Sequence, residues 1–188
     1  MLINEAVDIS FEIANEGYSL ATSGAEVKFF LSSNQVIDNS DELLSTQGTP
    51  AALGIGQSLT VSHTFIPTGA VGNFYILAVV NQGGTKNELV TINNTSSSQA
   101  LVIAPDYTAT AQVDGDVFNG TTPITITGVT ETVAKSPAPN KAVDIYIVVN
   151  GARRVLNTVS DQNGQFSISF TPLNGEGGDY TVGASYPG

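Results

Sequence analysis

The sequence predicts an all-β chain built as two tandem immunoglobulin-like antiparallel β-sandwiches. Apolar and polar residues alternate with a period of two in many short runs, and no stretch sustains a helical period of 3.6. Asn-Gly pairs at 119–120, 150–151, 163–164 and 174–175 can supply the positive φ angles that tight turns demand. The chain also repeats part of its own pattern. Short strands, tight turns and a repeat together indicate sandwiches.

The first strand is predicted over 7–13, where Val7, Ile9, Phe11 and Ile13 share one face and Asp8, Ser10 and Glu12 the other. The same alternation returns at Val27, Phe29 and Leu31, and again at Leu59, Val61, His63 and Phe65. Phe74 to Val80 is the longest apolar run, far short of the roughly 20 residues that span a bilayer as a helix. Leu101, Val102 and Ile103 close the first unit. Tyr107, Ala109, Ala111 and Val113 open the second, followed by Ile124 and Ile126, by Val143, Ile145, Ile147 and Val149, and by Phe166, Ile168 and Phe170. Asn163-Gly164, lying between alternating runs, carries the strongest hairpin signal. The last predicted strand covers 180–185.

Two registers relate the halves. At an offset of 116, Val27, Phe29, Phe30, Leu31 and Asn34 fall on Val143, Ile145, Tyr146, Ile147 and Asn150. At an offset of 105, Phe65, Pro67, Gly72 and Tyr75 fall on the identical residues Phe170, Pro172, Gly177 and Tyr180. The shared Tyr at the start of a late strand has the placement of a tyrosine corner. The expected domains are 1–104 and 105–188, joined by Ala104-Pro105-Asp106, a link short enough to restrain rather than tether. The first is expected to lack its first strand and the second its last, as in a fragment of a longer protein. The last strand would then expose an unpaired edge.

The 188 residues carry 6 basic against 17 acidic groups, a formal net charge of −11, with no Cys, no Trp and a single His. Thiol catalysis, disulfides and Cys-ligated zinc are therefore excluded, and one imidazole cannot build a His-rich metal site. Six basic groups on so acidic a chain cannot form the positive stripe that nucleic acid or an anionic membrane needs. Nine acids face two bases in the first domain and eight face four in the second, so net −7 and net −4.

The change of offset places about 11 extra residues between 35 and 57 of the first unit. That stretch contains Asp38-Asn39-Ser40-Asp41-Glu42, the densest oxygen cluster in the chain. Calcium takes six to eight oxygen ligands on a sharply turning backbone, so Asp38, Asn39, Asp41 and Glu42 are the candidate ligands. The cluster lacks the full EF-hand spacing, and a solvated acidic loop is the competing reading.

Several pieces of the first unit, taken in order, resemble the cell-adhesion-related domain of bacteria, CARDB. They are Ile9–Ile13 followed by Ala14-Asn15-Glu16-Gly17, the segment Val27 to Ser33, and the acidic loop before Leu43-Leu44. Leu53 to Ser58, Gly72 to Ala78, and Glu88 followed by Asn93-Asn94 complete the set. The second unit resembles a bacterial Ig-like domain through Val143 to Val149, Ser160 to Phe166 and Gly178 to Ala184. The resemblance implies an extracellular or cell-surface protein in which such domains serve adhesion or spacing.

No residue pattern announces catalysis. His63 shares a strand face with Leu59, Val61 and Phe65 and lacks an orienting partner in the neighbouring sequence. Ser58 and Ser62 have no nucleophile elbow around them. Asp114 and Asp116 flank Gly115, which reads as a turn rather than a carboxylate pair for glycoside hydrolysis. Phe30 and Tyr146 point away from the core by parity, so each is either an exposed platform for sugar or packed beneath a loop or against the neighbouring domain. Asn93-Asn94-Thr95 and Asn119-Gly120-Thr121 carry the short glycosylation pattern. The reading is a non-catalytic adhesion or spacer segment whose partners are a protein or glycan ligand and neighbouring domains. A carbohydrate-binding accessory region of a secreted enzyme is the alternative.

Overall fold

The computed structural model describes residues 1–21, 24–49, 52–69, 71–82, 88, 90–115, 117–118, 120 and 122–187. Asp116, Asn119 and Thr121 lie outside the described residues. The described residues form strands and turns without a helix. They divide into two compact units, Met1–Ala104 and Pro105–Gly188.

In the first unit, β1 (Val7–Ala14) pairs antiparallel with β4 (Ser58–Phe65), setting Ile9 opposite His63 and Phe11 opposite Val61. The facing sheet runs β3 (Glu42–Gly48), β2 (Glu26–Ser32), β5 (Gly72–Val80) and β6 (Thr95–Ser97), and β7 (Leu101–Ile103) pairs with the start of β5. Alternation places Val27, Phe29, Leu31, Ile76 and Ala78 against Val61, Phe65 and the inward row of β1. Phe29 is fully buried and stands 5.8 Å from Phe11 and 6.1 Å from His63, ring centroid to centroid. Ahead of β1, Leu2 bridges Ala104 in parallel, and Ile3, only 2% exposed, joins the core.

The second unit stacks the sheet β8 (Tyr107–Val113), β9 (Ile124–Thr132) and β12 (Gln165–Phe170) on the sheet β11 (Ala152–Val159), β10 (Ala142–Val149) and β13 (Tyr180–Ser185). Ile126, Val143, Ile145 and Ile147 are essentially inaccessible between them.

Two sequence expectations need correction. The tight hairpin is Asn150-Gly151, whose φ angles of 47° and 79° join β10 to β11 directly. Asn163-Gly164 instead carries the chain from β11 in one sheet to β12 in the other, so it is a turn but not a hairpin. The chemistry of a turn is local; which sheet the next strand joins is not.

The second correction concerns the repeat. The ladders pair Leu31 with Ile76 and Ile147 with Val182, so the late strands are related by 106 rather than 105. Backbone conformation agrees: Gly72 and Gly178 have φ of 140° and 141°, a region that only glycine enters freely. Tyr180 thus matches Phe74, both turned to a core, whereas Tyr75 lies on the opposite face beside Phe30. The identity of Tyr75 with Tyr180 is a coincidence of spacing, and neither is a repeated corner. The extra length of the first unit is split between two loops. Residues 33–41 stand where 150–151 stand, and residues 49–57 where 160–164 stand, with β3 between them.

Candidate functional site

At one end of the first unit, two of the motif pieces lock together. The Asn15 amide donates to the carbonyls of Ser19 and Leu53, both at 2.9 Å, while its oxygen accepts from the Gly17 N–H. The Asn15 backbone bonds Gln57 O and Gly56 N, and the Gln57 side chain accepts from Gly54 N–H at 2.8 Å. One Asn thus closes the turn after β1 and the turn before β4, where a side chain without both donor and acceptor would leave backbone groups unpaired. A second clip joins Glu88, whose Oε2 accepts from the amides of Asn81 at 2.7 Å and Asn94 at 2.6 Å. Val80 N–H donates to Asn94 O, so the clip fixes where the chain returns after β5.

The acidic turn is similarly self-contained. Asp38 Oδ1 accepts from both the N–H and the hydroxyl of Ser40, at 2.7 and 2.6 Å, and Asp41 Oδ2 accepts from Asp38 N–H at 2.8 Å. The Ser40 hydroxyl, and then its N–H, hold the Asp38 carboxyl below its ordinary pKa. Upstream, Asn34 N–H donates to Ser32 Oγ and Val36 N–H to Asn34 Oδ1. This chain of side-chain-capped turns carries Ile37 onto a second apolar layer of Phe30, Leu77, Val79 and Tyr75 on the outer face of the sheet. Phe30 is therefore buried beneath a loop. Asp38 and Asp41 give oxygens to their own backbone, Glu42 opens β3, and no group of three or more His, Asp or Glu residues suited to a metal occurs among the described residues. The second Asp41 oxygen, Oδ1, is buried without a hydrogen-bond partner among the described residues.

His63 stacks on Phe29 inside the sandwich, with Ser62 on the outer face beside Ser10 and Asp8. Asp114 follows the end of β8, with no second carboxylate among the described residues beside it.

In the second unit the outer face of β10 holds Tyr146, whose ring lies over Gly183. A β-carbon at Gly183 would fall 2.1 Å from the phenolic oxygen. The Arg153 guanidinium sits 5.3 Å from the ring centroid, and Asn157 donates to Asp144 two pairs further along the ladder. Sequence parity found Tyr146 but not its cationic neighbour, which comes from the adjacent strand.

Also unforeseen is the cluster around Arg154. Its guanidinium lies over the Phe170 ring at 4.6 Å and meets both Glu176 oxygens at 2.7 Å. Glu176 in turn accepts from the Leu173 N–H, which with Arg154 holds its carboxyl below the ordinary value. Burial raises the adjacent Tyr180 hydroxyl. At the start of β8, Tyr107 is 4% exposed, donates to Ala142 O and packs against Tyr186 and Lys141. Burial pushes its hydroxyl up to about 12, with Tyr186 and Asp106 adding to the rise.

A depressed glutamate stabilises the fold above its unfolded pKa and loses that contribution as pH falls through its folded value. Glu176→Gln is therefore expected to lower the melting midpoint of the second unit near neutral pH. At acid pH, below the depressed folded pKa, wild type and variant should converge, as the carboxylate becomes protonated. Calorimetry at both pH values checks this; a gap that persists at acid pH would show that charge is not the cause.

With this geometry in place, comparison with known proteins is direct. The CARDB family model matches residues 1–98, slightly over half the chain. The chain belongs to the CARDB family. Both clips of the CARDB unit, Asn15 with Leu53–Gln57 and Glu88 with Asn94, fall within the matched span. Three solved structures are similar to the chain. The CARDB domain of a Pyrococcus furiosus protein, in complex with di-metal ions, is 18% identical over 55% of this chain and 77% of its own, with a TM-score of 0.42. The D0-D1 domain of intimin is 16% identical over 98% of this chain and 86% of its own, at 0.31. A tetra-tandem repeat from the extending region of a large adhesion protein is 17% identical over 95% of this chain and 45% of its own, at 0.32. No curated protein matches the chain.

Proposed function

We propose that the chain is a non-catalytic adhesion or spacer segment of a larger bacterial cell-surface or secreted protein, with a bacterial Ig-like domain following the CARDB unit. The observation that carries this reading is the CARDB match over 1–98. The chemistry of the side chains supports it. The carboxylates of Asp38, Asp41, Glu88, Asp161 and Glu176 accept hydrogen bonds from their own loops, and Asp106 pairs with Lys141 at 2.7 Å. They close turns, and a group so engaged is poorly placed to exchange protons with a substrate. Net charge of −11 keeps copies apart, while apolar cores in both units carry stability.

One observation favours the second reading, a carbohydrate-binding accessory region: Tyr146 lies flat on Gly183 with Asp144, Asn157 and Arg153 around it. A glycan array separates the two. The spacer reading expects no glycan bound through this surface; a hit lost in Tyr146→Ala would establish the sugar-binding reading instead.

Calcium at Asp38, Asn39, Asp41 and Glu42 is tested by calorimetry with excess calcium and with EDTA. Asp38 Oδ1 and Asp41 Oδ2 already accept hydrogen bonds within the turn, and no group of three or more His, Asp or Glu residues suited to a metal occurs among the described residues, so the transition of the CARDB unit is expected not to move. A ligand at 100 times its Kd adds about 2.7 kcal/mol, enough to shift so small a unit by roughly ten degrees. A selective rise of that size, lost in Asp38→Asn, would assign calcium to the turn.

A further inference from the structure

The two units treat equivalent strands differently. In the CARDB unit the far edge of β5 is covered: β7 pairs at Gly72–Phe74 and β6 at Leu77–Val79. By the ladder equivalence, β5 corresponds to β13. Among the described residues β13 pairs on one edge only, with β10. β8 lies at the matching edge of the facing sheet and packs against β13, yet its ladder is with β9 alone. β13 reads Tyr-Thr-Val-Gly-Ala-Ser, with neither a charge nor a proline to discourage pairing. Such an edge presents unpaired backbone donors and acceptors along its length.

We propose that the β13 edge is a strand-acceptor site for an uncharged, extended partner strand with aliphatic side chains at alternate positions. The occupant's chemistry is given by the covered edge in the same chain. There Leu101 and Ile103 alternate toward the core, Ile103 being 1% exposed, and Thr95–Ser97 complete the ladder. Carried across, a strand of this kind lies antiparallel to β13. The residue equivalent to Ile103 then falls opposite Gly178, that equivalent to Leu101 opposite Tyr180, and the Thr-Ser-Ser stretch opposite Gly183 to Ser185. Self-pairing of two β13 edges suits the site less well. It would bring together two copies with a net charge of −11 each and supply no Leu or Ile to the core.

The test uses the whole chain with a copy of residues 95–104 appended at its C-terminus through a flexible Gly/Ser linker, which gives the donor an effective concentration on the order of millimolar. A control donor carries Ser96→Pro, which removes a ladder donor directed at the edge. The intact donor is expected to raise the melting midpoint of the second unit by on the order of ten degrees and to slow amide exchange in 180–185, while the CARDB transition stays fixed. Equal midpoints and equal exchange for the two donors would overturn the proposal. If the unmodified chain instead dimerises, with protection of 180–185 that rises with concentration, the occupant is a second copy and the assignment above is wrong.

Discussion

Phe29→Ala is expected to remove about 3–5 kcal/mol from the CARDB unit and to leave the second unit's transition where it is. Phe29 is fully buried at the middle of β2, where its ring meets Phe11 from β1 and His63 from β4. These are the two strands of the facing sheet, so one side chain joins both layers. Truncation leaves a cavity whose walls are held by ladders on either side and collapse only partly. In a unit of this size the loss should lower the midpoint by roughly fifteen degrees or more. Phe29→Leu keeps most of the volume and should cost less. His63→Phe, keeping a ring against Phe29, should be nearly silent if His63 is a core residue. A Phe29→Ala shift no larger than that of a surface substitution, within about 0.5 kcal/mol, would mean that the sheets are not packed through this ring.

Which parts of this architecture can be read in the sequence depends on whether the signal is local. β1, β4 and β12 show their alternation because one face is core and the other largely polar, and β2 and β10 show it in their inward rows although Phe30 and Tyr146 stand on the opposite face. β11 hides it: Leu156 points inward while Val155 and Val159 are exposed, and the inward Arg154 is neutralised by Glu176. Apolar residues on both faces erase the period. β3 is obscured by a bulge, where Phe29 pairs with Ser45 and Phe30 with Leu43, leaving Leu44 as the additional residue. The acidic cluster was legible as a composition but not as a geometry. Only the fold shows Asp38 Oδ1 bound to Ser40 and Asp41 Oδ2 bound to the Asp38 N–H, with Asp41 Oδ1 left without a partner among the described residues. The charge total, by contrast, needed no structure to disfavour nucleic acid as a partner.

Gly128→Ala is expected to destabilise the second unit by about 3 kcal/mol or more, although it adds a single carbon. Gly128 sits inside β9, where glycine is ordinarily a weakness and replacement by alanine reduces the freedom of the unfolded chain. On that account alone the variant would be more stable. The local geometry reverses the sign. A β-carbon there would lie 2.0 Å from the Thr110 carbonyl oxygen and 2.2 Å from Cζ of Phe166. The carbonyl belongs to β8, whose ladder with β9 pairs Ala111 with Gly128. Phe166, directly opposite Gly128 on β12, is 6% exposed and packed in the core. A ring can rotate away at some cost, but a backbone oxygen moves only with its strand. The double variant Gly128→Ala with Phe166→Leu distinguishes the two contacts. If the carbonyl dominates, shortening the ring restores little of the lost midpoint; if the ring dominates, most of it returns. A neutral or stabilising Gly128→Ala would mean that β8 and β12 do not close on β9 in this way, and the three-stranded sheet would have to be redrawn.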